Sequence, residues 1–485
     1  MEGKGDIGVI GLAVMGQNLI LNMNDHGFRV VVYNRTVSKV DDFINGPATG
    51  RETILGSHSI EQFCSLLSRP RKVMLMVKAG PAIDSFIEQL LPFLEEGDCI
   101  IDGGNSFFKD TVRRTRFLSE KGIVFCGTGI SGGEEGARHG PSIMPGGDPQ
   151  AWPLLKNIFQ SICAKTPDGE PCCNWVGSDG AGHYVKMIHN GIEYGDMQII
   201  SEAYFLLRNL LGMDYPRMRG IFREWNKTEL DSYLVEITGD ILGNKDVDGV
   251  PLLEKILDAA GQKGTGKWTG INSLELGVPV TLISEAVYAR ALSMLTEERA
   301  VASSALSGPP VSFSGDKDEF VEDIRKALLA SKIISYAQGF ILMKNAAQEY
   351  VWELDFGDIA MMWRGGCIIR SVFLDKIKEA YQHNPALESL LLNEYFRGVL
   401  AQCQKSWRRV ISAAVDSGMP VPAFSSALSF YDGYRCPHSS ANLIQAQRDY
   451  FGAHTYERVD KPRGQFFHTN WTGRGGDTAA GSYSV

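Results

Sequence analysis

Over the first 178 residues, short apolar runs of strand length alternate with longer stretches whose apolar residues recur at helical spacing. Strands are expected at Asp6 to Ile10, Arg29 to Tyr33, Val73 to Val77, Cys99 to Asp102 and Ile123 to Cys126, separated by helical patterns. That alternation predicts a doubly wound parallel sheet. From Asp179 the pattern changes to long helical periodicity with few strand signals, up to residue 440, interrupted by a Pro- and Gly-rich loop over Ser307 to Asp316. From Ala441 the chain enters a tail rich in Gly, Ser and Thr, in which Phe466, Phe467 and Trp471 imply burial against something, such as a partner subunit. The expected architecture is an α/β Rossmann-type dinucleotide-binding domain (1–178), a large all-α substrate and dimerisation domain (179–440) and an extended C-terminal tail (441–485). No internal repeat is evident.

The stretch Asp179 to Tyr194 concentrates the chemistry. Asp179 and Gly180 can cap a helix, after which Val185, Ile188 and Ile192 fall on one apolar stripe. Lys186 and Glu193 are seven positions apart, about 700° of helical rotation, so they return to nearly the same face with Asn190 between them. An amine, an amide and a carboxylate in a row can supply a general base and a general acid, although a solvated helix face carries similar charges. Gly191 and Gly195 favour the first reading. Each costs a helix interior about 1 kcal/mol relative to Ala, so something must approach the backbone closely there.

The first expected strand runs into Gly11-Leu12-Ala13-Val14-Met15-Gly16 and then an amphipathic helix to His26. This G-x-A-x-x-G pattern, placed between strand and helix, is a dinucleotide fingerprint: Gly11, Ala13, Met15 and Gly16 let the backbone and the helix N-terminus approach a pyrophosphate. The second strand ends in Asn34-Arg35-Thr36 instead of an acidic residue, and a guanidinium there suits the 2′-phosphate of NADP. Beyond the later strands, the first of them ending at Val77, lie Lys78-Ala79-Gly80, Gly103-Gly104-Asn105-Ser106 and Gly129-Ile130-Ser131-Gly132-Gly133, positioned to line a cofactor and a polyhydroxylated substrate. Gly261 to Trp268 is a glycine-rich loop whose Lys263 and Thr265 offer an ammonium and a hydroxyl to an anion. Arg290 follows in a helix expected over Leu282 to Thr296.

Composition narrows the classes. A chain of 485 residues, 44% hydrophobic and 22% charged, has material for two or three domains with a sizeable core. A net charge of −9 argues against a general nucleic-acid or membrane-surface binder, so an anionic ligand must be held by a local basic cluster. The nine cysteines are scattered, with no Cys-x-x-Cys spacing and no accompanying His pattern, so no metal site is expected and the thiols read as reduced, cytoplasmic ones. The first strand starts within a few residues of Met1, which leaves no room for a targeting peptide, and no apolar run approaches a membrane span.

Five motifs carry a resemblance: Gly-Leu-Ala-Val-Met-Gly at 11–16, Ser-Gly-Gly-Glu-Glu-Gly-Ala-Arg at 131–138, His-Asn-Gly-Ile-Glu-Tyr-Gly at 189–195, Leu-Asp-Ala-Ala-Gly-Gln-Lys-Gly-Thr-Gly-Lys-Trp at 257–268, and Gln-Arg-Asp-Tyr-Phe-Gly-Ala-His at 447–454. With them the chain closely resembles the 6-phosphogluconate dehydrogenase family over essentially its full length. The resemblance implies NADP-dependent, metal-independent oxidative decarboxylation of 6-phosphogluconate to ribulose 5-phosphate in the pentose phosphate pathway. It also implies a homodimer whose tail threads into the partner. By position, Lys186 is the implied general base and Glu193 the general acid, with His189 and Asn190 beside them. Asn105, Ser131, Gly132 and Gly133 are implied substrate contacts. Tyr194, Lys263, Thr265 and Arg290 form the phosphate pocket, completed by Arg448 and His454 from the neighbouring subunit. Asn34, Arg35 and Thr36 fall at the NADP 2′-phosphate, with Lys78 nearby. Two segments depart from the family's usual pattern: Phe107-Phe108, where a more polar pair is common, and 435–440. Two rivals share parts of this set, a non-decarboxylating β-hydroxyacid dehydrogenase and a catalytically silent NADP-binding sensor. The first has no use for Lys263, Thr265, Arg290 and Arg448 together, and the second none for Lys186 with Glu193.

Overall fold

The structure is a computed structural model that describes residues 4–475 and residue 480. Eight strands form one sheet: β1 (Ile7–Ile10), β2 (Val30–Tyr33), β3 (Ile54–Gly56), β4 (Lys72–Leu75), β5 (Cys99–Asp102), β6 (Val124–Ser131), β7 (Ser142–Gly147) and β8 (Gly177–Ser178). Their order is β3-β2-β1-β4-β5-β6-β7-β8. The first six are parallel, as the alternation of apolar runs and helices predicts. β7 is antiparallel to β6, and β8 is parallel to β7. Apolar side chains cover both faces: Val9, Val30, Val32 and Met74 pack on one, and Ile10, Val31, Val73 and Leu75 on the other. This two-sided burial explains why the strands read as continuous apolar runs.

Three strands escape the apolar pattern. β3 is only three residues long, β8 only two, and β7 (Ser-Ile-Met-Pro-Gly-Gly) carries turn-type residues. β6 likewise continues five residues past Cys126, through Gly127 and Gly129 to Ser131. The chain steps from β1 to β2 and β3 on one side and then crosses to β4, β5 and β6 on the other. The switch point therefore lies at the carboxyl ends of β1 and β4.

After β8 the chain enters a 25-residue helix, Ala181–Phe205. Asp179 does not cap it: its backbone is left-handed (φ 51°), and the cap position is Gly180, with no side-chain bond. The helix packs on β6 and β7 and against the helices Thr265–Glu275, Thr281–Ser293 and Lys317–Glu349. Gly191 and Gly195 accept those helices. An added Cβ would lie 2.8 Å from Thr269 Cγ2 at the first and 2.5 Å from Ser335 Oγ at the second. The close approach implied by these glycines is that of neighbouring helices.

By internal contacts the chain forms two compact units, Met1–Ala427 and Leu428–Val485. The second contains a helix, Ala441–Gly452, where the sequence suggested only tail, followed by an antiparallel pairing of β9 (Tyr456–Glu457) with β10 (Phe466–Phe467). Its organising group is Asp449, fully buried, which accepts hydrogen bonds from Thr469 N–H (3.0 Å) and Trp471 Nε1–H (2.8 Å) and lies 2.9 Å from His468 Nδ1. Burial pushes its carboxyl up, but these donors outweigh that and hold it below the usual range. Among the described residues no helix is long and apolar enough to cross a membrane.

Candidate active site

The Ala181–Phe205 helix lies so close to the sheet that a Cβ on Gly129 would overlap the stem of Lys186. This contact seats Lys186, buried at 6% exposure, toward the end of β6, which runs through Ser131 into the Gly132-Gly133 turn, whose φ values of 115° and 63° favour glycine. One helical turn on, His189 is fully buried, with Nε2 3.2 Å from Ser131 Oγ and Nδ1 3.0 Å from Asn190 Oδ1. Lys186 Nζ lies 3.4 Å from the same Nδ1, and Glu193 Oε2 3.8 Å from it. Asn190 Nδ2 donates to Thr265 Oγ1 at 3.0 Å, which ties the helix to the Gly261–Trp268 loop. Lys186, Asn190 and Glu193 thus converge, as the helical arithmetic requires, with His189 at their centre.

Burial sets the charge state of this cluster. It lowers the Lys186 amine from its ordinary value, against the opposing pull of Glu193, and it holds the His189 ring neutral, helped by Lys186. It raises the Glu193 carboxyl despite the nearby Lys186 and Arg290 cations. All three groups are pushed toward their uncharged forms. The tautomer that fits is neutral His189 donating from Nδ1 to Asn190 and accepting the Ser131 hydroxyl proton at Nε2. An amine shifted down and a carboxyl shifted up on one helix face are biased toward base and acid roles.

Beside this pair, Tyr194 is buried with the Arg290 guanidinium 3.6 Å above its ring centroid, and Arg290 Nη1 donates to Gly261 O at 3.2 Å. Arg290 is thus fixed at the edge of the glycine-rich loop, with Thr265 buried beside it and Lys263 exposed. At the switch point, a cleft of about 370 Å³ is lined by Ala13, Met15, Val77, Lys78, Gly104 and Asn105, among others. Gly11 and Gly16 make room there: a Cβ at Gly16 would overlap the Gly11 carbonyl. Asn34 Oδ1 accepts from Leu12 N–H at 3.1 Å, binding the end of β2 to the fingerprint turn. Arg35 and Thr36 stand exposed beside it, and the Arg35 guanidinium has no partner among the described residues. A backbone cradle with an uncommitted cation at its rim fits a dinucleotide bearing an extra phosphate.

Residues 6–177 match the NAD binding domain of 6-phosphogluconate dehydrogenase, and residues 182–471 match the 6-phosphogluconate dehydrogenase C-terminal domain. The chain belongs to the 6-phosphogluconate dehydrogenase family. It is 63% identical to the decarboxylating 6-phosphogluconate dehydrogenase of Ovis aries, over 99% of this chain and 100% of that one. It is 61% identical to that of Haemophilus influenzae, over the whole of both chains. Among solved structures, 6-phosphogluconate dehydrogenase of Plasmodium falciparum, described in its apo form and in complex with its cofactor NADP+ and with its substrate 6-phosphogluconate, superposes with a TM-score of 0.92. That match covers 96% of this chain and all of the other at 42% identity.

In this member of the 6-phosphogluconate dehydrogenase family, the structure also brings in residues that sequence reasoning passed over. Trp363 packs edge-on against the His189 ring, with centroids 5.7 Å apart. The buried Cys367 thiol, pushed up to about 12 by burial, lies within electrostatic reach of Lys186. Gly366 lies against the Ser131 turn, where a Cβ on Gly132 would stand 2.6 Å from the Gly366 carbonyl. The Gly365-Gly366 pair was the available signal. Arg448 and His454 belong to the second unit, where Arg448 donates to Gln445 Oε1 at 3.1 Å and His454 Nδ1 is buried without a partner. Among the described residues no cluster of ligating side chains suited to a metal ion occurs.

Proposed function

We propose that this protein oxidises 6-phosphogluconate with NADP and decarboxylates it to ribulose 5-phosphate and carbon dioxide. The observation that carries the reading is the Lys186–His189–Glu193 cluster, buried and biased toward neutral groups, between a dinucleotide cleft and a cationic loop. The Gly11–Gly16 turn and Arg35 would hold NADP, and Lys263, Thr265, Arg290 and Tyr194 the substrate phosphate. When bound, the oxidised nicotinamide supplies the two-electron acceptor for oxidation at C3. Lys186 takes the C3 hydroxyl proton, a role that burial favours by lowering the amine from its ordinary value. Oxidation places a ketone β to the carboxylate, and the ammonium now on Lys186 stabilises negative charge on that oxygen as carbon dioxide leaves. Glu193 then protonates C1 of the enediol.

The three-part division into 1–178, 179–440 and 441–485 and the assembly belong to the same reading. The helices between Thr265 and Ala305 present Leu274, Tyr288, Leu292 and Val301 to solvent, and the second unit presents Leu443 and Phe451. Such apolar exposure suits a second copy of the chain, with Arg448 and His454 completing the partner's phosphate pocket. Neither cofactor nor substrate calls for a membrane or nucleic-acid partner, and a cytoplasmic site of action is part of the same proposal.

Incubation with 6-phosphogluconate and NADP in the presence of a chelator tests the activity. Equimolar NADPH and carbon dioxide are expected. NADPH without carbon dioxide would replace this reading with a plain hydroxyacid dehydrogenase, and NADP binding without either product with a sensor.

A further inference from the structure

Two adjacent aromatic residues follow Asn105-Ser106, and they play different parts. Phe108 is buried in a cluster with Tyr184 (4.9 Å, edge-on), Tyr350 and Trp352, stapled by hydrogen bonds from Tyr184 OH to Asn272 Oδ1 (2.7 Å) and from Asn272 Nδ2 to Tyr350 OH (2.9 Å). That cluster is enough to fasten the start of the Phe108–Ser119 helix to the helical part of the first unit. Phe107 is only half-buried, and its ring meets both Phe108, edge-on at 5.1 Å, and Trp268, at 5.1 Å with an interplanar angle of 44°.

Each ring stands next to one of the two ligand loops. Phe107 ends the Gly103–Ser106 turn, which lines the dinucleotide cleft through Gly103, Gly104 and Asn105. Trp268 lies in the first turn of the Thr265–Glu275 helix, its N–H bonded to Gly264 O at 3.0 Å, directly after Lys263 and Thr265. On the other side that first turn is held to the Lys186 helix by Asn190–Thr265 and by Thr269 Oγ1 donating to Met187 O at 3.0 Å. The Phe107–Trp268 contact, flanked by an exposed Lys109–Glu275 ion pair at 2.8 Å, is therefore what braces the anion loop from the nucleotide side.

We propose that Phe107 is a positioning residue, which through Trp268 sets the Lys263–Thr265 loop relative to Asn105 and so fixes the distance between the cofactor and the phosphate end of the substrate. The inference rests on the reading above that the 261–268 loop holds the substrate phosphate. A contact that bridges two ligand loops acts on binding as well as on stability.

The test is a double-mutant cycle of Phe107→Leu, Trp268→Leu and the pair, with Phe107→Tyr as the conservative control and Lys263→Met as the reference for the loop. Leucine keeps an apolar side chain at these half-buried positions; because Phe107→Leu also loses the edge-on contact with Phe108, it is the coupling in the pair that isolates the Phe107–Trp268 contact. Each single Leu variant should raise the KM for 6-phosphogluconate about tenfold, with kcat changed less than about threefold, and the pair should be no worse than one single. Phe107→Tyr should restore the KM. Unchanged KM values in both single variants, or effects that multiply in the pair, would overturn the proposal. If Lys263→Met leaves the KM unchanged, the assignment of the loop to the phosphate fails, whatever Phe107 does.

Discussion

Lys186 and Glu193 illustrate how one cause, burial, prepares two opposite roles. Lowering the amine keeps the base unprotonated at a lower pH than a free lysine allows, and raising the carboxyl keeps the acid protonated at a higher pH than a free glutamate allows. Activity should therefore follow a bell, losing the base as pH falls and the acid as pH rises. Lys186→Met is expected to lower kcat by about 10²–10⁴, the usual weight of general-base catalysis, while substrate binding measured by calorimetry persists. Near-normal turnover would remove Lys186 from the role. Glu193→Gln should slow turnover and flatten the alkaline limb of the profile, and a limb retained in that variant would assign it to another group. The shared face of these two residues was legible because helical rotation is simple arithmetic. The placing of His189 between them was not, since it depends on Ser131 approaching from a strand 58 residues away.

Among the elements, the Ala181–Phe205 helix does most to form the site, and its fit to β6 depends on glycine. Gly129→Ala should push against the stem of Lys186 and cost about 1–3 kcal/mol, the usual price of overpacking, together with a loss of kcat, and a variant with unchanged unfolding midpoint and turnover would show that the helix can move off the sheet. The helix also carries a pH-dependent contact at its far end. Glu202 is buried and accepts Ala423 N–H (2.8 Å) and Phe424 N–H (2.9 Å), the first amides of the Pro422–Tyr434 helix, yet desolvation dominates and raises its carboxyl to about 7 from 4.5. The folded chain thus retains a proton that the unfolded chain releases, so this stabilisation is full below the unfolded value and is lost as pH rises through about 7. Glu202→Gln has no such proton. Its stability relative to the parent should rise by about 3 kcal/mol from pH 4 to pH 8 in denaturant titrations, and a constant difference would mean that folding leaves the Glu202 carboxyl unshifted. Elements of this kind were legible where apolar periodicity was strong, as in β1, β2 and β5. β7 was not, because Pro145, Gly146 and Gly147 speak locally for a turn, and only the pairing with β6 makes them a strand.

At the scale of the whole molecule, the sequence separated a sheet-bearing part from a helical one, because residue periodicity changes from strand to helix at the Ala181–Phe205 helix. It could not show the Asp449 knot, which joins side chains 19 to 22 positions apart that follow no period. That knot gives the second unit an ordered core while Trp471 remains 45% exposed and Phe451 73% exposed. Apolar surface of that kind is what the proposed dimer would cover. If each site takes Lys186 from one chain and Arg448 from the other, two defective variants should rescue one another. Lys186→Met and Arg448→Leu homodimers would each be impaired at both sites. A mixed dimer would gather both defects in one site and leave the other intact, so co-expression followed by isolation of the doubly tagged species should return about half the parental activity per dimer. If Arg448 instead serves the site of its own chain, every site in the mixed dimer carries one defect. Activity then stays at the level of the impaired homodimers, and sharing of the phosphate pocket between subunits is excluded.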